Sequence, residues 1–154
     1  MEYKEKFIAF IDILGFTGFV ENSELQEKIT LDKILEMTKI LGLEYSQKIE
    51  SCPDSNNINN NLDFVITQIS DCVIISSEVS QKGVINLLAH CNMIIYKLLN
   101  MGVLCRGYIN KGLIYHTKNQ VIGTGYINAF KKESSDIRFK GIENEKGTPF
   151  VEID

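Results

Sequence analysis

A short apolar run near the N-terminus ends in an acidic residue, and it constrains the fold more than any other feature of the sequence. Residues 7–13, FIAFIDI, are apolar except for Asp12, which predicts a buried central strand. A buried carboxylate without compensation costs several kcal/mol. Asp12 is therefore either a capping or structural residue, or a cation ligand held at the strand end. Gly15 and Gly18 follow and predict a turn into a helical region.

The patterns in the first half of the chain predict one helical region and one hairpin. The length of 154 residues fits a single domain spanning 1–154. Apolar residues at roughly helical spacing across 23–49 predict one long or two short helices. The Asn-rich segment 51–61 predicts a mobile loop. Two strand-like runs then flank only Ser70 and Asp71, which places Asp71 at a hairpin tip.

The second half of the chain alternates strands and helices. The patterns predict a helix over 81–101, which ends at Gly102, and then a strand over 103–110. A turn at Lys111 and Gly112 leads into a strand over 113–116. A glycine-led helix over 123–134 and late strands over 136–142 and 148–154 follow. This order predicts a ferredoxin-like α+β sandwich, an antiparallel sheet with helices on one face. The first strand would be central with the hairpin beside it, so Asp12 and Asp71 would converge at one edge.

Composition and charge narrow the classes of partner. The net charge of −4, from 16 basic and 20 acidic residues, argues against a nucleic-acid partner. We expect a cytoplasmic protein without a membrane partner, because neither a signal peptide nor a membrane span is visible. The four cysteines, irregularly spaced, are expected to be reduced rather than zinc ligands: Cys52, Cys72, Cys91 and Cys105. His90 and His116 are expected to be structural.

Two convergent carboxylates predict a particular chemistry. Carboxylates at one site repel each other unless a cation lies between them, and Mg²⁺ and Mn²⁺ prefer oxygen ligands and phosphate. The turn LGFTG after Asp12 would add backbone N–H groups at a helix N-terminus, where phosphate oxygens bind. Spacing alone also leaves a capping role for Asp12 open.

Four motifs in order resemble those of class III nucleotidyl cyclases: FIDILGFTGFV, ISDCVIIS, CRGYINKGLIYH and GTGYINAFKKES. Together with GTPFVEID, they look most like the bacterial pyrimidine cyclases of the Pycsar antiphage system. The resemblance extends from residue 7 to residue 154, apart from the region between residues 20 and 60. It implies a ferredoxin-like palm, the class III cyclase fold, with an antiparallel central sheet and helices packed on it.

The resemblance also implies roles for individual residues. Two Mg²⁺ or Mn²⁺ ions would be bound by Asp12, Asp71 and the carbonyl of Ile13. Arg106 matches an arginine that faces the triphosphate in that family. The alternative is that Arg106 pairs with a nearby glutamate. The backbone of the turn would hold the β- and γ-phosphates, at Gly15, Phe16 and Thr17.

The sequence departs from purine-using cyclases at the positions that would contact the base and the reacting phosphate. Thr67 and Gln120 stand where those enzymes have a Lys and an Asp, and such neutral polar groups suit a pyrimidine edge. Ile127 and Lys131 stand at the positions of the transition-state Asn and Arg. Ile127 cannot replace an Asn, whereas Lys131 either neutralises phosphate charge or is a solvated helix lysine. Arg138 is a second cationic candidate.

These features lead to an expected function with two alternatives. The chain would convert UTP or CTP to cyclic UMP or cyclic CMP and pyrophosphate, as a second messenger in antiphage defence with a separate effector. The resemblance implies a head-to-tail homodimer with two equivalent sites. The alternatives are a purine cyclase or other palm nucleotidyltransferase, and a catalytically silent, nucleotide-binding module. Glu133 would reach across the dimer or cap charge on an exposed helix, and three tyrosines would stack on a base or pack: Tyr108, Tyr115 and Tyr126.

Overall fold

The computed structural model describes residues 1–26, 29–42, 62–134 and 151–154 as a mixed α+β fold. This described part contains one six-stranded sheet and four helices. The elements in chain order are β1 (Lys4–Ile13), α1 (Phe16–Glu24), α2 (Leu31–Leu41), β2 (Val65–Ile69), β3 (Cys72–Glu78), α3 (Gln81–Asn100), β4 (Cys105–Thr117), β5 (Gln120–Ile122), α4 (Thr124–Glu133) and β6 (Val151–Ile153). The predicted α+β class is thus confirmed.

The first strand lies at the centre of the sheet. The strand order is β2-β3-β1-β4-β5, and β6 pairs with β4. β1 is antiparallel to β3 on one side and to β4 on the other, and β2 is antiparallel to β3. The central first strand and the adjoining hairpin were both predicted correctly. β6 is the exception to the antiparallel arrangement, because it runs parallel to β4.

The prediction of a turn at Lys111 and Gly112 is wrong. β4 continues through both residues, because Lys111 pairs with Phe7 and Gly112 pairs with Lys6 of β1. A Lys-Gly pair favours a turn only where the backbone lacks a pairing partner, and β1 supplies one here.

Two other predictions also need correction or lie outside the described residues. Gly18 is not a turn residue, since it lies within α1, where space is open around its α-carbon. The helical region 23–49 contains the end of α1 and all of α2, and 43–49 is outside the described part. The predicted loop 51–61, the predicted strand 136–142 and, with them, Cys52 and Arg138 also lie outside it.

The sheet carries a core on each of its two faces. On one face, Ala9, Ile11 and Ile13 of β1 pack with buried residues of α2 and α3. On the other, Ile8 and Phe10 pack with residues of β3, β4 and α4. This division follows from the alternation of side chains along a strand. The prediction that all helices lie on one face is therefore wrong, because α4 covers the face opposite α2 and α3.

Helix α4 lies close to the sheet because glycines meet where it begins. A β-carbon built on Gly112 would lie 2.8 Å from the α-carbon of Gly125. The buried Asn110 side chain donates a hydrogen bond from Nδ2 to the Gly125 carbonyl at 3.0 Å. Further along the helix, the Phe130 ring meets the Phe10 ring edge-on at 5.4 Å between centroids.

We predict that Gly125→Ala lowers the free energy of unfolding, because its new methyl group would overlap Ile8 and the Gly112 backbone. The expected loss is about 1–3 kcal/mol, measured by urea denaturation. Gly18→Ala is the matched control, since it adds a methyl group to another helix in open space. Gly18→Ala should be neutral or stabilising by about 0.5–1 kcal/mol. Equal effects of the two changes would contradict the close packing of α4.

Candidate functional site

The structure brings the carboxylates of Asp12 and Asp71 together at one end of the sheet. Asp12 lies near the end of β1, and its side chain is 19% exposed. Asp71 lies in the two-residue turn between β2 and β3. The Ile13 N–H donates to the Asp71 carbonyl at 3.1 Å, which ties the hairpin tip to the end of β1. The two carboxyl groups are also within side-chain hydrogen-bonding range of each other.

The hairpin tip has the backbone conformation that a two-residue connection requires. Ser70 has a positive φ of 53°, as tight hairpin turns need at their central positions. The side chain of Gln68 donates to the Ser70 carbonyl at 3.1 Å, and Ile69 pairs with Cys72 across the turn. These contacts fix the register of the hairpin and hence the position of Asp71.

Arg106 lies beside Asp12 and connects it to helix α4. It is the β4 partner of Asp12 in the sheet register, and its Nη2 lies 3.6 Å from Asp12 Oδ2. Its Nε pairs with Oε1 of Glu133, whose side chain is only 2% exposed. The sequence left open a pairing of Arg106 with a nearby glutamate, and Glu133 is that glutamate. The contact of Arg106 with a phosphate stays a prediction.

Burial and the nearby negative charges change the acidity of Asp12. Burial and the nearby carboxylates of Asp71 and Glu133 raise the pKa of Asp12 to about 7, and Arg106 opposes this increase only in part. Three carboxylates therefore lie near one guanidinium, which contacts two of them, Asp12 and Glu133. The site favours binding a proton or a cation.

The turn after β1 exposes backbone N–H groups next to this pair. Gly15 has a φ of +73° and precedes α1 without a side-chain cap from any described residue. The N–H groups of Phe16 and Thr17 lie in the first helical turn, where no intrahelical acceptor exists. The first intrahelical bond runs from the Phe19 N–H to the Gly15 carbonyl at 3.3 Å. The predicted phosphate-binding turn thus directly follows the strand that carries Asp12.

Thr67 and Gln120 lie near each other because the β4–β5 hairpin reaches across to β2. The Thr67 hydroxyl is 3.1 Å from the Thr117 carbonyl and 3.0 Å from Nε2 of His116. The Gln120 N–H donates to the Thr117 side chain at 3.1 Å. Nδ1 of His116 lies 2.7 Å from the Ser76 hydroxyl. Hydrogen bonds within the chain therefore occupy the Thr67 hydroxyl, whereas the Gln120 side chain is exposed.

His116 is a buried, neutral part of this network. Burial, and secondarily the charge of Lys6, lower the pKa of His116 to about 4. Both ring nitrogens have hydroxyl partners. The expected structural role of His116 agrees with these contacts.

Lys131 and Ile127 are both at exposed positions of α4. Lys131 is not among the groups that shift the pKa of Asp12. Lys131 instead lines a cleft with Tyr108 and Asp154. Tyr126 packs against Phe10, at 6.3 Å between ring centroids.

The donor set at the sheet end is a pair of carboxylates. In the part of the chain that the structure describes, no group of three or more His, Cys, Asp or Glu side chains is arranged to hold a metal ion. Mg²⁺ commonly takes only one or two protein carboxylates and completes its shell with water and substrate phosphates. Asp12 and Asp71 fit that pattern.

Sequence reasoning missed the role of Glu133. The helical spacing of Ala129 and Glu133 places them on the same side of α4, and both are buried. This spacing was visible in the sequence, but an acidic residue after two lysines reads as solvent-exposed.

No protein-family model matches the chain, and no curated protein matches it. Among the described helices, none has the length and apolar character needed to cross a membrane.

We predict that Asp12→Asn stabilises the metal-free protein at high pH. The pKa of Asp12 is about 7 in the folded protein, against 3.8 for an ordinary Asp, so the folded state keeps a proton that the unfolded chain releases. Stability therefore falls as the pH rises through this window, and the loss is complete above it. Asp12→Asn removes this loss of stability. We therefore expect it to raise the free energy of unfolding by about 2 kcal/mol at about pH 8 and to change it little at about pH 4.

The measurement is urea denaturation with a chelator at both pH values. Asp32→Asn, at the exposed start of α2, is the control and should not raise stability at either pH. An equal effect of Asp12→Asn at both values would contradict the raised pKa.

Proposed function

We propose that this chain is a metal-dependent pyrimidine nucleotide cyclase with a class III cyclase palm. The observation that carries the proposal is the pairing of Asp12 with Asp71 at the end of the central strand, beside Arg106. The central β1, the adjoining β2–β3 hairpin and the turn before α1 support the same interpretation. The order of the sequence motifs and this geometry point to one site.

The two aspartates suit Mg²⁺ or Mn²⁺. Burial, followed by the negative charges of Asp71 and Glu133, raises the pKa of Asp12 more than Arg106 lowers it. Asp12, Asp71 and the Ile13 carbonyl would hold the ions, which would lower the pKa of the ribose 3′-hydroxyl and neutralise the triphosphate. The hydroxyl oxygen then attacks the α-phosphorus, and pyrophosphate and the hydroxyl proton leave.

Other groups of the chain would position the triphosphate. The N–H groups at Phe16 and Thr17 would donate to the β- and γ-phosphate oxygens, and the space around the Gly15 α-carbon is open. Arg106 is held by Glu133 and Asp12 with its side chain 30% exposed, so its guanidinium can still contact a phosphate.

The β4–β5 hairpin would recognise the base. The Gln120 side chain offers both an amide donor and an amide acceptor, as a pyrimidine edge requires. Thr67 holds that hairpin against β2 through the Thr117 carbonyl and His116. In this proposal, Thr67 positions Gln120.

A second copy of the chain would complete the site. Two exposed apolar side chains on α4, Ile127 at 44% and Phe130 at 47%, form a surface that a partner can cover. Lys131 adjoins them and lies outside the cluster of Asp12, Arg106 and Glu133. In a head-to-tail homodimer, Lys131 would face the partner's metal ions. Resemblance to Pycsar cyclases extends the proposal to a second messenger that acts on a separate effector in antiphage defence.

We predict that the purified chain with Mn²⁺ converts UTP or CTP, but not ATP or GTP, to a cyclic monophosphate and pyrophosphate. Mass spectrometry of separate reactions with each triphosphate identifies the product. Asp71→Asn should reduce turnover at least about a hundredfold, because it removes a metal ligand. Asp32→Asn, an acidic-to-amide change on α2, should retain activity.

The other outcomes point to the alternative functions. A purine product would contradict the role given to Gln120. Triphosphate binding without any product would favour the silent module, for which Ile127 at the transition-state position is the supporting feature.

We predict that two inactive variants restore activity when they are mixed. In a head-to-tail dimer, Asp71→Asn and Lys131→Gln damage different chains of the same site. A mixed dimer then has one site with both changes and one site with neither. Equimolar mixing should give about a quarter of wild-type activity, because half of the dimers are mixed and half of their sites are intact. Activity no higher than the average of the two variants would contradict a shared site.

A further inference from the structure

Glu133 lies where its own helix disfavours a carboxylate. It is in the last turn of α4, where the helix dipole disfavours negative charge, and its side chain is only 2% exposed. It also adds to the negative charge around Asp12. A buried charge at such a place requires a partner of opposite charge. Among the described residues, the ionic partner of Glu133 is Arg106.

Both carboxylate oxygens of Glu133 have a partner. Oε1 pairs with Nε of Arg106, and the Ser134 hydroxyl lies 2.9 Å from Oε2. Ser134 follows Glu133 directly and is the C-cap residue of α4. These contacts and the burial of the side chain restrict the carboxylate to one position. Glu133 can therefore fix the guanidinium that it contacts.

The two ends of the Arg106 guanidinium are held differently. Nε pairs with Glu133, whereas Nη2 is 3.6 Å from Oδ2 of Asp12, which is beyond hydrogen-bonding distance. Most of the N–H donors of a guanidinium are on its two Nη atoms. The Arg106 side chain is 30% exposed. The Nη end is therefore the part of the guanidinium that can contact a ligand.

We propose that Glu133 is a positioning residue for phosphate binding, which holds Arg106 by Nε so that the Nη end of the guanidinium faces the triphosphate. This inference rests on the proposed function, because it takes the triphosphate to bind beside Asp12. An arginine held on its Nε side can present both Nη atoms to one phosphate, as bidentate pairing requires. Without Glu133, the guanidinium would be drawn to the carboxylates of Asp12 and Asp71 and would neutralise them instead of the phosphate.

The charge of Glu133 and its positioning role predict opposite effects on phosphate binding. A nearby carboxylate repels an anion, so a variant that loses only this charge should bind phosphate at least as tightly as the wild type. A variant that no longer holds Arg106 should bind phosphate more weakly. A purely structural role would change the stability of the protein and leave the phosphate affinity of the folded chain unaltered. The direction of the change in affinity therefore distinguishes the three roles.

The test is isothermal titration of the whole chain with inorganic triphosphate in the presence of Mn²⁺. This probe cannot cyclise, because it has no ribose hydroxyl. Glu133→Met removes both the charge and the acceptor at a similar side-chain length, and it should weaken binding about tenfold through loss of a charged contact. Glu133→Gln keeps an oxygen that can accept from Nε and should retain at least the wild-type affinity. Tighter or unchanged binding in Glu133→Met, or equal weakening in Glu133→Gln, would overturn the proposal.

A double-variant cycle tests whether Glu133 acts through Arg106. Arg106→Lys keeps the positive charge but has a single donor group, which cannot bind Glu133 and a phosphate from separate ends, so it should weaken binding about tenfold. Adding Glu133→Met to Arg106→Lys should weaken binding no further. Glu36→Met, the same change on the exposed surface of α2, should leave the affinity unaltered. Additive losses in the double variant would show that Glu133 acts independently of Arg106 and would overturn the proposal.

Two further measurements keep the outcomes distinct. Because Glu133 is buried, thermal unfolding must first show that Glu133→Met is folded. If it is not, Arg106→Lys decides, and full affinity in that variant overturns the proposal. Cyclase assays separate this inference from the proposed function: a cyclic product with unaltered triphosphate binding in Glu133→Met overturns only the inference. Weakened binding in Glu133→Met, without cyclic product from the wild type, supports the inference and contradicts the function.

Discussion

The central position of β1 is the constraint on which the rest of the structure depends. β1 pairs with β3 and β4 along most of its length, and its alternating side chains contribute to both cores. Ile11 and Ile13 face α2 and α3, so Asp12 between them faces α4. A one-residue slip of this strand would bury the carboxylate among the apolar side chains of the opposite core. The apolar pattern that sets the register therefore also positions the acidic site.

The acidic site is stabilised only in part by the groups around it. Glu133 reaches Arg106 because Gly112 and Gly125 bring α4 close to the sheet. Arg106 is thereby shared between two carboxylates, while burial and then the nearby charge of Asp71 raise the pKa of Asp12. The folded protein is therefore less stable at high pH than it would be with an amide at residue 12. Retention of a destabilising group is expected where that group has a function.

The sequence predicted what local patterns determine and missed what contacts between distant segments determine. Ser70 and Asp71 between two apolar runs were enough to predict the hairpin, and the glycine-led start predicted α4. Gly112 was misread as a turn because its pairing with Lys6 lies more than a hundred residues away in sequence. The pairing of Arg106 with Glu133 depends on how α4 docks, which periodicity does not specify. Convergence of Asp12 with Asp71 was predictable, because it follows from strand order alone.

The charged residues on the two sides of α4 bear on whether one chain or two would form a complete site. Glu133 on its sheet side balances Arg106, while Lys131 on the exposed side neutralises neither Asp12 nor Asp71. A triphosphate at the aspartates would thus meet one cationic side chain, Arg106, among the described residues of its own chain. Transfer at a phosphate demands more positive charge than one shared guanidinium provides. In the proposed reaction, metal ions would supply part of this charge, and a lysine presented by a second copy of the chain would supply the rest.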